Sequence, residues 1–217
     1  MNNNVLTLFF TAIISILLLL YACDKSVTTN QDYYKKGSKL SSEELSLIQS
    51  GDIILRQGYG AVSSMIIKTL NEDIPVSHIG VISQDEKGDF FVIHSVSRAI
   101  SDHDGIQIDE FERFLKHSRP NSVIITRYKG SNPDNENTGY LISKRAQYYL
   151  DKKIPFDHTF NLEDSTAFFC SELVYRILTD LFDDNVFDCY ITERLIDKLR
   201  FSPFYDYVRF DIIVNHH

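Results

Sequence analysis

Three cysteines and seven histidines are the side chains of this 217-residue chain with the clearest capacity for nucleophilic or metal chemistry. The cysteines, Cys23, Cys170 and Cys189, are too few for a disulfide scaffold. None of them belongs to a C-x-x-C pair, the spacing typical of structural zinc sites. Each cysteine therefore needs an explanation of its own.

Cys170 lies at the start of the most clearly amphipathic segment of the chain. Apolar residues recur at helical spacing over residues 169–182 and predict a helix there, which Ser165 or Thr166 would cap. The partial positive charge of a helix N-terminus lowers the pKa of a thiol in the first turn and favours the thiolate. Cys170 is thus a candidate nucleophile, although most free cysteines are small apolar core residues. A disulfide to Cys189 would remove this nucleophile.

Two histidines are candidates for a contact with each other. Residues 77–83 and 89–96 have the composition of strands and predict a hairpin. A turn centred on Glu86 would set His78 directly opposite His94, with Cβ atoms about 4.5 to 5.5 Å apart, so that one ring could fix the tautomer of the other. A shift of two residues would leave them diagonal neighbours. Spacing alone fits a structural pair of half-buried histidines equally well.

The segment Asp102-His103-Asp104 offers a competing interpretation, a metal site completed by His78 and His94. Adjacent residues of an extended chain point to opposite faces, so this segment would supply at most two ligands. We therefore interpret it as a polar turn. The chain has no glycine-rich phosphate loop either, and we predict no metal, nucleotide or other cofactor.

The composition is that of a globular protein with an acidic surface. Hydrophobic residues make up 43% of the chain, and 22 Lys and Arg stand against 30 Asp and Glu, a formal net charge of −8. No block of basic residues is present. Binding to nucleic acid depends on neutralising phosphates, so we predict no nucleic-acid partner. The oligomeric state is left open.

The N-terminus has the features of an export signal. Residues 1–22 are uncharged and largely apolar, and Leu20-Tyr21-Ala22-Cys23 resembles a bacterial lipobox, in which the cysteine is lipidated after cleavage. The alternative is an uncleaved membrane anchor. We expect a signal peptide over 1–22, lipidated Cys23 with a polar tether over 23–40, and one catalytic domain over 41–217. This predicts a membrane-anchored lipoprotein of the cell envelope.

The remaining patterns predict an α+β domain, with strands concentrated in the middle and helices before and after them. Ser41 and Glu44 form a capping-box pattern at the start of a first helix. Further helices are predicted at 61–70, 108–115 and 138–150, and further strands at 53–56, 122–128 and 206–214.

Several short motifs, in this order, resemble those of the permuted papain-like amidases of the YiiX/YaeF group, circularly permuted relatives of the NlpC-type cell-wall peptidases. They are Gly51-Asp52-Ile53-Ile54-Leu55, Ser77-His78-Ile79-Gly80-Val81, Val92-Ile93-His94-Ser95, Pro155-Phe156-Asp157 and Phe169-Cys170-Ser171-Glu172-Leu173-Val174. The resemblance implies a permuted papain-like fold with a central antiparallel sheet. It also implies Cys170 as nucleophile, His78 as general base, His94 as the residue that orients His78, and Asp157 as support of the cleft or a substrate contact.

The activity that this resemblance implies is acyl transfer through a thioester. The expected substrate contains an amide bond and is peptide-like or part of the cell envelope. Many permuted relatives carry Glu where this chain has His94, so an imidazolium on His78 would have less electrostatic support here. The alternatives are a thiol acyltransferase or deacylase that acts on lipid, and a catalytically silent lipoprotein that binds peptides.

Overall fold

The computed structural model describes residues 37–130, 137–188 and 195–217. The α-helices of these residues are α1 (Ser42–Leu47), α2 (Gly60–Leu70), α3 (Phe111–Lys116), α4 (Thr138–Asp151) and α5 (Cys170–Phe182). The strands are β1 (Ile53–Arg56), β2 (His78–Gln84), β3 (Phe90–Val96), β4 (Gly105–Glu110), β5 (Val123–Tyr128) and β6 (Phe210–Asn215). Short 3-10 turns cover Leu195–Leu199 and Ser202–Phe204.

The six strands form one sheet in the order β4-β3-β2-β1-β5-β6, and every neighbouring pair is antiparallel. Each face of the sheet buries its own apolar cluster. Leu55, Ile79 and Ile93 lie on the face that packs against apolar residues of α5. Ile54 and Ile82 lie on the opposite face, in a cluster that includes residues of α3. The predicted α+β fold with a central antiparallel sheet is confirmed.

The body of the protein already includes the last residues of the predicted tether. Ser38 is buried, and its N–H donates to the carbonyl oxygen of Leu115 in α3 at 2.9 Å. The predicted signal peptide, Cys23 and Cys189 lie outside the described residues. Within the described part of the chain, no helix is long and apolar enough to cross a membrane.

The segment predicted as a helix over 108–115 is instead a strand followed by a helix. β4 ends at Glu110 and α3 begins at Phe111. The alternation of Ile106 and Ile108 with polar residues has the period of a strand, and β4 pairs with β3 along its whole length. The helical prediction merged this alternation with the apolar spacing of α3.

The hairpin of β2 and β3 forms as predicted, but its register differs by two residues. Val81 pairs with Ile93 and Gln84 with Phe90, which centres the turn on Lys87 rather than Glu86. Asp85 Oδ1 accepts hydrogen bonds from the N–H groups of Lys87 and Asp89, and this favours the later turn. His78 and His94 are therefore diagonal neighbours rather than directly opposite each other.

Candidate active site

The candidate nucleophile occupies the first residue of α5. Cys170 is a free, partly exposed cysteine. The prediction that Ser165 or Thr166 caps this helix is wrong, since the N-cap residue is Phe169. Glu172 accepts a hydrogen bond from the N–H of Phe169 at 3.3 Å. Glu172 is fully buried, and Arg176 neutralises it at 3.0 Å. This ion pair, with its buried carboxylate, stabilises the first turn of the helix that carries Cys170.

A break in strand pairing brings the tip of α5 to the sheet. The ladder between β2 and β3 extends only from Val81 to Gln84 on the β2 side, so the first residues of β2 separate from β3. Next to this gap, Ser95 Oγ donates to the carbonyl oxygen of Phe168 at 2.5 Å. The backbone N–H of Ile79 faces the Cys170 thiol. The candidate nucleophile is thereby set at the residue that follows His78 in β2.

The resting thiol does not have the lowered pKa that its helix position predicts. Burial raises the pKa of Cys170 to about 11 and outweighs the N–H groups of Ser171, Cys170 and Ile79, which lower it. The charge of Arg56 also lowers it, but by less. The prediction considered the helix terminus alone, whereas the tertiary structure adds the desolvation of the sulfur.

The two histidines are in direct contact. His78 Nε2 and His94 Nδ1 are 2.7 Å apart, and the rings meet edge to face with centroids 5.0 Å apart. Both residues are buried. A Cβ atom at Gly80 would lie 3.1 Å from His94 Cβ and 2.6 Å from Val92 Cγ1, so only glycine leaves room for this packing.

The hydrogen bond between the rings decides which nitrogen of His78 can meet the thiol. Its Nε2 is taken by His94, which leaves Nδ1. In the resting arrangement, the described residues include no hydrogen bond between the Cys170 sulfur and His78. Catalytic hydrogen bonds of free enzymes are often formed only when substrate binds. Burial, Arg56 and His94 lower the pKa of His78 well below 6.5, so its resting form is neutral.

Arg56 lies beside the candidate base, although sequence reasoning assigned it only to the predicted strand over 53–56. It pairs with His78 across β1 and β2, and its guanidinium lies 4.5 Å from the ring centroid of Phe114. The same phenylalanine packs against His78 and His94. Arg56 also donates to the carbonyl oxygen of His117. A buried cation thus lies beside the candidate base, and only the strand register could have revealed it.

Asp109 is the second residue that the sequence interpretation missed. Its Oδ2 lies 3.5 Å from His94 Nε2, on the side away from His78. The neighbouring histidine lowers the pKa of this carboxyl, although burial opposes the shift. Because residues 108–115 were assigned to a helix, Asp109 was not considered. The alternation of apolar and polar residues in β4 would have predicted that Asp109 lies on the sheet. Arg56, His78, His94 and Asp109 together form a polar row across β1, β2, β3 and β4.

Asp157 lies in the loop before α5 and is buried. Its carboxylate accepts hydrogen bonds from Thr159 N at 2.7 Å, Thr159 Oγ1 at 2.6 Å and Asn161 N at 2.6 Å. Burial would raise the pKa of Asp157, but these donors together lower it. Asp157 therefore organises its own loop in the resting protein.

The segment Asp102-His103-Asp104 lies in turns between β3 and β4. Asp104 accepts a hydrogen bond from the N–H of Arg98 at 2.7 Å and lies 3.2 Å from His158 Nε2. Among residues 37–130, 137–188 and 195–217, no three His, Cys, Asp or Glu side chains converge as metal ligands. His78 and His94 direct a nitrogen at each other, which suits a relay of hydrogen bonds rather than a metal.

A cysteine at a helix N-terminus and a pair of contacting histidines on an antiparallel sheet are the groups expected of a papain-like thiol enzyme. Residues 47–196 match the family described as permuted papain-like amidase, YaeF/YiiX, C92. The match spans more than half of the chain. The protein therefore belongs to this family.

A solved structure supports the same fold. The crystal structure of the metalloprotein YiiX from Escherichia coli O157:H7 superposes with a TM-score of 0.56 at 14% sequence identity. The similarity covers 77% of this chain and 97% of that protein. No curated protein matches the sequence. The family and the fold are thus shared.

Proposed function

We propose that this protein is a thiol amidase that cleaves an amide bond in a peptide-like or envelope-derived substrate through a Cys170–His78–His94 triad. The observation that carries the proposal is the 2.7 Å contact between His78 Nε2 and His94 Nδ1. This contact leaves His78 Nδ1 for the Cys170 thiol, which lies at the start of α5 and faces the backbone N–H of Ile79 in β2.

The reaction begins from a neutral pair, because burial disfavours both the thiolate and the imidazolium. As Cys170 Sγ attacks the carbonyl carbon, its proton passes to His78 Nδ1. His78 then gives that proton to the leaving amine, and a thioester remains. Water attacks the thioester and gives one proton to His78, which returns it to the sulfur as the acid leaves.

The developing oxyanion requires donors beside the sulfur. The backbone N–H of Cys170, at the start of α5, is one candidate. The N–H of Ile79 is the second, since it faces the thiol and β2 is unpaired with β3 at this position. The first donor follows from the position of Cys170 at a helix N-terminus, whereas the second depends on where the β2–β3 ladder ends.

The substrate class is tested by incubating cell-envelope extracts with the full chain and analysing the products by mass spectrometry. We expect new free amines and peptide fragments that are absent after incubation with Cys170→Ala. Release or exchange of fatty acids would instead identify a lipid acyltransferase or deacylase. An unchanged extract would support a silent peptide-binding lipoprotein, and both of these results would contradict the proposal.

We further propose that lipidated Cys23 tethers the body to a membrane of the cell envelope. The proposal rests on the lipobox-like tetrapeptide at residues 20–23 and the polar segment after it. Cells expressing the chain and fed a radiolabelled fatty acid should label the wild-type protein, and Cys23→Ala should abolish the label. Equal labelling of the two proteins would exclude Cys23 as the lipidation site.

A further inference from the structure

The histidine pair ends at a carboxylate. His94 is buried, and its Nε2 makes no hydrogen bond of normal geometry with the described residues. Asp109 Oδ2 lies 3.5 Å from that nitrogen, at the long end of a hydrogen bond. The Asp109 side chain is 20% exposed, against 3% for His94, so solvent reaches the row from the Asp109 side.

A neutral imidazole carries one proton, so each ring of the pair has one donor and one acceptor. The 2.7 Å contact requires one ring to donate and the other to accept. If His94 donates from Nδ1, His78 accepts at Nε2 and carries its own proton on Nδ1. His78 Nδ1 then has no lone pair for the Cys170 proton. Only the opposite direction leaves His78 able to act as a base.

We propose that Asp109 is a positioning residue that fixes this direction by accepting the Nε2 proton of His94. His94 Nδ1 then accepts from His78 Nε2, and His78 Nδ1 keeps a free lone pair toward Cys170. Asp109 stays ionised throughout and takes up no proton. The inference rests on the proposed function, because it assigns His78 Nδ1 as the base.

The charges around the row agree with this direction. At the β1 end, Arg56 disfavours additional positive charge on His78. At the β4 end, Asp109 favours a proton on the near side of His94. The interaction with His94 is the largest cause that lowers the pKa of Asp109, and the charges of Arg113 and His117 act after it, so the carboxyl remains ionised. The carboxylate missing from the triad is thus supplied one strand further along the sheet.

A purely structural role for Asp109 would depend on Arg113, its ion-pair partner four residues later in α3. The Arg113 side chain is 64% exposed, and exposed ion pairs contribute little to stability. The Arg113→Gln variant removes this contact and keeps the one to His94. Glu110→Gln is the matched control for charge, since it removes one carboxylate at the next residue, which is exposed.

The test compares Asp109→Asn with both controls in the full chain in detergent. We expect Asp109→Asn to lower kcat/KM about 10- to 100-fold, by analogy with the loss of a carboxylate that orients a metal-bound histidine. Arg113→Gln and Glu110→Gln should stay within about threefold of the wild type. Unchanged kcat/KM in Asp109→Asn would overturn the proposal.

Nitrogen-15 NMR of the histidine side chains supplies a readout independent of hydrolysis. In the wild type we expect protons on Nε2 of both His78 and His94, and in Asp109→Asn a population with the protons on Nδ1. A loss of activity with unchanged histidine spectra would assign Asp109 a structural role and overturn the proposal. If the wild type hydrolyses nothing, the proposed function fails, and the spectra still decide the direction of the pair.

Discussion

Replacing Cys170 with alanine is expected to lower hydrolysis by at least about 10⁴-fold, since removing the nucleophile of a triad costs as much as removing the whole unit. The variant should also lose the iodoacetamide label at position 170, whereas a label on another cysteine of the chain would remain. In the wild type the labelling of Cys170 should be slow near neutrality and accelerate as the pH approaches about 11, because burial raises the pKa of the thiol to that value. The rate of Cys170 alkylation at each pH is measured by quenching the reaction at set times and quantifying the label by mass spectrometry.

The matched control is Cys189→Ala, which removes a second thiol from the same chain. It should retain activity and leave the pH dependence of Cys170 alkylation unchanged. Thermal unfolding of Cys170→Ala separates a lost nucleophile from a lost fold. Hydrolysis retained by a folded Cys170→Ala protein would exclude the thiol mechanism.

Replacing His78 with alanine is expected to lower kcat/KM about 10²- to 10⁴-fold, the contribution of a positioned general base. The pH profile should change shape as well. Burial and Arg56 lower the pKa of His78 well below 6.5, so the wild-type base is already neutral at that pH and the acid limb lies below it. Without His78, hydrolysis depends on the fraction of Cys170 that ionises without a base. The activity of the variant should therefore rise with pH toward about 11.

His103→Gln is the control for loss of a histidine, because His103 is exposed in the turns between β3 and β4. Its kcat/KM should match the wild type. The same variant tests whether Asp102-His103-Asp104 forms part of a metal site. Loss of activity in His103→Gln would favour such a site. A His78→Ala profile parallel to the wild type would show that His78 is not the base.

The sequence predicted a large part of the architecture, because strand and helix periods are local properties. The strands at 53–56 and 122–128 and the helices at 61–70 and 138–150 match β1, β5, α2 and α4 to within one or two residues. The capping box of Ser41 and Glu44 is present with both of its hydrogen bonds. The failure at 108–115 came where two periods meet without a glycine or proline between them.

The sequence singled out candidate site residues but not their energetics. The order of motifs pointed to Cys170, His78 and His94, and the structure joins the two histidines and sets the Cys170 thiol at the backbone N–H of Ile79, the residue after His78. The hairpin register that motivated the histidine contact was wrong by two residues, and the contact forms because imidazoles also reach diagonal neighbours. The sequence could not predict the roles of Arg56 and Asp109, since each acts on a histidine of a neighbouring strand.

By itself, the sequence determined the residue types that can react and the local elements that hold them: Cys170 at the start of a helix and two histidines in a hairpin. Only the tertiary structure decided the state of those groups, because pKa values depend on burial and on charges distant in the chain. Burial turns a predicted thiolate into a thiol, and strand order sets Arg56 and Asp109 at opposite ends of the polar row. Desolvation and long-range charge appear only when the strands are assembled.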